Sequence, residues 1–592
     1  MKRMTILAMT ALLLAGAALA APAKRGLTTV TQSDGTTLQV QALGDEFHHR
    51  LATADGLTIA QAGNGDYFYC TNAGISAVRA HDATVRSAAE TAFLAAHHGE
   101  MTPASASNGS RRARQAAMRR AITQVPTLGS PRVPIILVEY QDKKMSHTLD
   151  DFEAHYKTGS KSVLQYFTDQ SNGLYTPQYD LYGIYPLPEN RVAYGRNRSG
   201  NDVGVAQMVN DAIDAAGDAI DWSRYDNDGD GEVDVCIVVY AGVGEAQAWQ
   251  TVASSVWPCQ WSLTEGKEWN DGSGPVTRNE TLIDKFAVFN EIEGASDYGT
   301  TMDGIGTFCH EFSHCLGLPD FYCTTSSGYY GMGNWSLMDN GMYNGGSVSG
   351  DTPIGYSAYE KAYMNWIDLV TPVANMHYTL PVFNTGGRDT DVALKLTSPL
   401  NENEYFIVEN RRQQGWDTYI SDEGVMITHF TYVPDRWEAN TVNDYALQLA
   451  TIMAADNAMN LYTESRDLFG ETNHEFTDES VPAAQLNMKA NGSLARTTGG
   501  AGLLEQPLSE IYLNEDGTAS LWYMKKAEAP LAGDVTGDGR VDVEDVNAVI
   551  NVVLGIAASD ELRAASDVTG DGRVDVEDVN AIINVILSIA TS

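Results

Sequence analysis

Between Thr28 and Cys70 apolar and polar residues alternate, broken by the turn signals SDGTT, ADG and GNGD. A period of two over short runs predicts a β-meander. From Ala89 to His98 the period changes to that of a helix. Arg132-Val-Pro-Ile-Ile-Leu-Val-Glu-Tyr140 is a β-branched apolar run and predicts a buried strand, as does VDVCIVVY from Val233. Helical patterns cover Ser162–Asp169, Val205–Ala216 and Ser357–Trp366. From about Leu369 to Met524 strand patterns dominate: VALKLTS, YFIVENRR, GVMITHFTY and ASLWYMKK, separated by polar turns. Within them Glu409, Arg411 and His429 read as a buried polar network.

The end of the chain repeats itself. DVTGDGRVDVEDVNAVINVVLG starts at Asp534, and DVTGDGRVDVEDVNAIINVILS starts at Asp567. Each copy places oxygen donors at the spacing a calcium loop uses. The first offers Asp534, Thr536 and Asp538, the backbone carbonyl of Arg540, and Asp545. The second offers Asp567, Thr569, Asp571, the carbonyl of Arg573, and Asp578. One loop and helix has little core of its own, so the two are expected to pack together and to order with Ca²⁺. A third acidic loop, Asp226-Asn-Asp228-Gly-Asp230-Gly-Glu-Val-Asp234, has the same character. Its twelfth position is Ile237 and a strand follows, so it predicts a structural calcium loop and not a helix–loop–helix site.

One stretch carries catalytic chemistry, CHEFSHCLGLPDFY from Cys309 to Tyr322. On a helix His310 and His314 share a face, so two imidazoles can meet one metal. Glu311 sits beside them, placed to hold and deprotonate a water on that metal. Gly317 lets the chain turn where the helix ends, and Asp320 returns as a third, oxygen ligand. Two nitrogens and one carboxylate suit Zn²⁺ with one position open, the arrangement of a catalytic site. The competing reading is a surface helix with two solvated histidines. Downstream, Gly331 to Gly341 forms a glycine-bounded turn with Met338 at its apex.

Length, charge and cysteines narrow the picture. The chain has 592 residues, too many for one core. Its 77 acidic and 38 basic residues give a formal charge of −39, which argues against a nucleic-acid or anionic-membrane partner. Met1–Ala20 opens with Lys2 and Arg3, continues through ILAMTALLLAGAALA and closes on Ala-Leu-Ala, the pattern of a secretory signal peptide. No other apolar run reaches membrane length, so a secreted protein without a membrane span is expected. Residues 21–120 predict a propeptide ending in the basic, easily cut linker SASNGSRRARQAAMRR. An ordinary N-terminal domain with a basic linker is the alternative. The six cysteines allow fifteen pairings, among which the sequence does not choose; Cys315 with Cys323 is a candidate staple across the turn that carries Asp320, with an all-cysteine metal site as its rival.

Residues from about 28 to 525 resemble the immune inhibitor A type of secreted bacterial metallopeptidase. The resemblance is carried by GDEFHHR, VPIILVEYQD, SVLQYFTDQSNG, DNDGDGEVD, HEFSHCLGLPD, NWSLM, SAYEKAYMNW and YFIVENRRQQGWD, in that order. It implies a zymogen with His310, His314 and Asp320 as zinc ligands and Glu311 as base. The Met338 turn is similar to the Met-turn of metzincins. Many metzincins place a tyrosine two residues after that methionine; here Asn340 stands there, with Tyr343 and Tyr356 as substitutes. Glu360 is a weaker rival to Asp320 for the third coordination position. The repeat at 534–587 resembles a dockerin, a calcium-dependent module that docks onto a cohesin.

The expected architecture is multidomain α+β. It comprises a signal peptide (1–20), a propeptide and linker (21–120) and a metzincin-like catalytic domain with a twisted mixed sheet and active-site helix (125–368). A β-sandwich-like accessory domain (369–525) and a small helical dockerin-like module (533–592) follow. The expected function is that of a zinc endopeptidase acting on extracellular proteins or peptides, with a cohesin-like partner for its tail. The rival readings are an inactive protease fold that binds or adheres while displayed through the tail, and an aminopeptidase or other zinc hydrolase.

Overall fold

The computed structural model describes residues 19–20, 22–23, 27–43, 50–62, 65–71, 74–101, 125–197, 202–248, 252, 254–294, 296–324, 329–387, 390–460, 462–526, 531–556 and 559–589. Most of the expected signal peptide, the GDEFHHR stretch and the basic linker lie outside the described residues. The chain divides into two compact units, Met1–Met524 and Lys525–Ser592. Among the described residues no helix is long and apolar enough to cross a membrane.

The first unit opens with the expected meander. Six strands from Leu27–Thr31 to Gly74–Arg79 pair with their sequence neighbours in order, and helix Ala88–Met101 follows. The central sheet comes next. Strands Gln178–Pro186, Arg132–Glu139, Cys236–Val243 and Lys285–Ile292 run parallel, Cys259–Ser262 pairs antiparallel with Lys285–Ile292, and Leu19–Ala20 pairs antiparallel outside it. Parallel strands are covered on both faces, which is why Cys236–Val243 and Lys285–Ile292 are buried at every position. Along Arg132–Glu139 the pleat deals alternate residues to two cores. Val133, Ile135 and Leu137 join Phe308 and Phe312 on one face, while Ile136 and Val138 join Met208, Val209 and Ile213 of helix Val205–Ala216 on the other.

The third strand of the sheet is anchored by the acidic loop before it. Asn227 donates from Nδ2 to Arg132 O at 3.1 Å and accepts from Arg132 N at 2.8 Å, so the loop is tied to the first strand of the sheet.

Beyond residue 368 a four-stranded antiparallel sheet (Leu394–Thr397, Glu404–Arg411, Gly424–Thr431, Ala450–Ile452) and a three-stranded one (Met376–Leu380, Ala519–Tyr523, Leu508–Leu513) share one apolar core. Phe406, Val408 and Ile427 come from the first sheet, and Leu380, Leu521 and Ile511 from the second. The other face of the four-stranded sheet looks toward the peptidase-like half. Ile407, Met426 and Phe430 belong to the same cluster as Phe312, Met338 and Trp366. Hydrophobic packing therefore runs across the boundary expected near 368. The polar residues read from the strands are buried: His429 pairs with Glu404 at 2.8 Å, and Arg411 with Glu409 at 2.9 Å.

The second unit has helices Val543–Val553, Asp560–Ser566 and Val576–Ile589. Val535 and Val549 of the first repeat and Ile582 of the second form one small core, so the copies do pack on each other.

Candidate metal centre

Helix Ile305–Cys315 sits under the sheet because Phe308 and Phe312, four apart, enter the core while His310 and His314 occupy another face. Its N-terminal turn is pressed against the Met338 region. A Cβ at Gly306 would lie 1.8 Å from Met342 O, so only glycine fits there. The helix ends at Gly317, whose φ of +99° turns the chain back toward the histidines.

Each imidazole is held by a backbone carbonyl. His310 Nδ1 lies 2.7 Å from Leu337 O, and His314 Nδ1 lies 2.7 Å from Leu318 O. A carbonyl only accepts, so both Nδ1 atoms carry the proton and both Nε2 atoms present lone pairs when the rings are neutral. Those atoms face Asp320 Oδ1 at 3.1 and 3.3 Å. Three acceptors thus converge in a dry interior, His310 being 0%, His314 3% and Asp320 1% exposed. Such a group is stable only with positive charge between its members. Donors on a tetrahedron with bonds of about 2.0–2.1 Å sit about 3.3–3.4 Å apart, close to the separations found. The two nitrogens and the carboxylate oxygen fit a divalent cation.

The other predicted residues separate into those the fold gathers and those it does not. Glu311 follows His310 on the helix and is fully buried. Met338 lies in the core, its carbonyl accepting from Phe321 N at 2.8 Å, while its neighbour Leu337 supplies the carbonyl that orients His310. Glu360, the weaker rival ligand, is occupied elsewhere. It caps its own helix through Ser357 N at 2.6 Å and accepts from Ser336 Oγ at 2.6 Å. Tyr356 is turned into the core, its hydroxyl on Ser313 Oγ and its ring against Tyr166 and Trp366. Tyr343 instead donates to Pro22 O at 2.7 Å. Asn340 bonds Asn334 Oδ1 at 2.6 Å. The candidate Cys315–Cys323 staple is absent: Cys315 is an unbridged thiol within its helix, its Sγ 3.8 Å from Glu311 O.

In the acidic loop Asp226, Asp228 and Asp234 bring carboxylate oxygens within 4.8 Å of one another, while Asp230 spends Oδ1 on Glu232 N at 2.8 Å. Burial, with Asp228 and Asp226 alongside, pushes Asp234 up to about 7. The repeats differ. Asp545 and Asp578 turn inward, accepting from Thr536 N and Thr569 N at 2.9 Å and, through Oδ2, from Asp542 N and Asp575 N at 2.9 Å. Asp534 and Asp567 receive the loop amides of Gly539 and Gly572, and Asp538 and Asp571 those of Arg540 and Arg573. The two loops have matching hydrogen bonds, as their matching sequences require.

Residues 133–367 match the family described as Immune inhibitor A peptidase M6, catalytic domain, and residues 532–587 match the dockerin type I domain. The chain carries an M6 peptidase domain and a type I dockerin domain. Immune inhibitor A of Bacillus thuringiensis subsp. alesti is 28% identical over 40% of this chain and 41% of its own length. The pre-pro-metalloprotease PrtV of Vibrio cholerae serotype O1 (strain M66-2) is 28% identical over 34% of this chain and 23% of its own length. The chain thus spans less than half the length of these relatives. The His310, His314 and Asp320 cluster lies inside the M6 domain. The backbone carbonyls that hold its histidines left no trace in the residue pattern, since any side chain could stand at 318 or 337.

Proposed function

We propose that this protein is a secreted zinc endopeptidase, made as a zymogen, that cleaves extracellular proteins and carries a calcium-dependent docking module. The observation that carries the reading is the convergence of two imidazole lone pairs and one carboxylate oxygen with no hydrogen-bond donor among them. A bound zinc ion would supply Lewis acidity, polarising a peptide carbonyl and making water acidic near neutral pH. His310, His314 and Asp320 would hold it. Glu311 accepts the proton of the water that adds to the carbonyl carbon, then delivers it to the amine nitrogen as the C–N bond breaks. Tyr343 is the hydroxyl available to the carbonyl oxygen as it gains charge, because Tyr356 is committed to Ser313.

The zymogen element draws support from the N-terminal residues. Within the expected propeptide, Ala23 is buried and Tyr343 is taken up by the carbonyl of Pro22. A base that must meet water and substrate is fully buried in this arrangement, as latency requires. The dockerin domain and the acidic loop at 226–234 are assigned calcium, the loop on its three gathered carboxylates. A cohesin-like protein is the partner assigned to the tail.

The test is metal analysis of the processed protein together with digestion of an N- and C-terminally blocked peptide library, with and without a zinc chelator. Chelator-sensitive cleavage of internal bonds is expected. Glu311→Ala is expected to abolish cleavage while one zinc stays bound. Zinc-loaded protein that cleaves nothing supports the binding-protein alternative and removes the enzyme reading.

A further inference from the structure

The M6 match ends at residue 367, yet the third metal-facing residue is gripped from beyond it. Asp320 stands on a loop, not on the helix, so nothing in its own segment decides which carboxylate oxygen turns toward the histidines. That choice is made by one amide. Asn440 donates from Nδ2 to Asp320 Oδ2 at 2.5 Å, and its Oδ1 accepts from Asp320 N at 2.7 Å. The same side chain therefore holds the backbone and the carboxylate of one residue, closing a ring that leaves Oδ1 alone facing His310 and His314.

We propose that Asn440 is a positioning residue of the metal centre: it locks Asp320 with Oδ1 toward the ion and occupies Oδ2. The metal centre is then completed by the β-rich segment after 368, and that segment is a working part of the site.

The local structure is built for this. Asn440 follows helix Pro434–Glu438 with a φ of +49°, the left-handed region, and is 8% exposed. Asparagine tolerates that backbone and offers a donor and an acceptor together. Glycine would accept the backbone but offers neither, and aspartate has no donor. The neighbouring residues run alongside the same loop. Asn443 donates to Phe321 O at 2.7 Å, and Asp444 accepts from Thr324 N at 2.8 Å. These bonds set the loop's course but do not touch the carboxylate. A donor on Oδ2 draws charge from that oxygen, which favours a single bond through Oδ1 and denies the loop its alternative rotamer. Loss of such an outer contact typically costs about 10–100-fold in metal affinity.

This inference rests on the metal-centre reading, and the test separates the two. Zinc dissociation constants of the full-length chain are measured by competition with a chromophoric chelator, with visible spectra of the cobalt-loaded protein and thermal midpoints of the metal-free form. Asn440→Gly keeps the backbone and deletes the amide; Asn440→Asp keeps the shape and replaces the donor. Both are expected to weaken zinc binding by about 10–100-fold and to alter the cobalt bands, with the metal-free midpoint of Asn440→Gly near that of the unsubstituted protein. Asn443→Ala, which loosens the loop without touching Asp320, is expected to lower the midpoint and leave the cobalt bands in place. Zinc affinity of Asn440→Gly within about twofold of the unsubstituted protein, with the same cobalt spectrum, overturns the proposal while the metal centre stands. An unsubstituted chain that binds no zinc overturns both.

Discussion

Arg411 ties the two halves of the first unit together, and removing it has a calculable cost. Its guanidinium is fully buried. It donates from Nε to Asp417 Oδ2 at 2.8 Å and from Nη1 to Glu409 Oε1 at 2.9 Å. From Nη2 it reaches Asp417 Oδ1 at 2.6 Å and Gly355 O at 2.9 Å. Glu409 in turn accepts from Ala358 N at 2.7 Å, at the start of the helix whose Glu360 clamps the Met338 turn. Arg411→Met removes the cation and leaves two carboxylates facing each other in the interior. Breaking a buried pair from one side costs about 3–5 kcal/mol. The figure does not double, because Glu409 is already pushed up to about 7 by burial, against the pull of Arg411, and can take a proton. Its folded pKa lies above the unfolded value of about 4.3, so its contribution is present at low pH and lost as pH rises through about 7. The penalty for Arg411→Met is therefore smaller at about pH 5 than at about pH 8. Equilibrium urea unfolding, followed through the buried Trp335 and Trp366, measures both. Adding Glu409→Gln and Asp417→Asn should recover part of the loss, since no buried charge is then left alone. A single variant that costs under about 1 kcal/mol at about pH 8, or a triple variant no better than the single, refutes this account.

Three further outcomes follow from the same geometry. In the processed enzyme Tyr343→Phe should lower kcat by about 10²–10³ with a smaller change in KM, whereas Tyr356→Phe should cost stability and leave kcat near normal; equal kcat losses in both would contradict the assignment of the two hydroxyls. Chelating calcium should expose residues 531–589 to limited proteolysis; a tail equally resistant without calcium argues against metal-dependent order. Replacing both Pro22 and Ala23 by Asp should weaken the N-terminal segment's seat and hasten appearance of peptidase activity from the precursor; unchanged latency would detach that segment from control of the site.

The residue pattern alone determined the periodic elements and the first metal-facing pair. Helix Val205–Ala216 falls at the bounds its spacing predicts, and the apolar runs at 132 and 236 are the central strands. These are local properties: a helix repeats every 3.6 residues, a covered strand is apolar throughout, and a His pair four apart must share a face. The repeat at 534 and 567 was legible for the same reason, since both copies and their shared core lie within one short stretch. Tertiary structure decided the rest. Tyr343 and Tyr356 were equal candidates in sequence, and only packing sent one into the core and the other to Pro22. Glu360 is in sequence a weaker rival to Asp320, and the fold assigns its two oxygens to Ser336 and Ser357. The carbonyls of Leu318 and Leu337 and the amide of Asn440 had no signature at all. A backbone carbonyl is common to every residue, and a contact across a long separation in the chain leaves no periodicity to read. Side-chain identity along the chain selects which metal can bind, whereas the direction each donor points is a property of the folded interior.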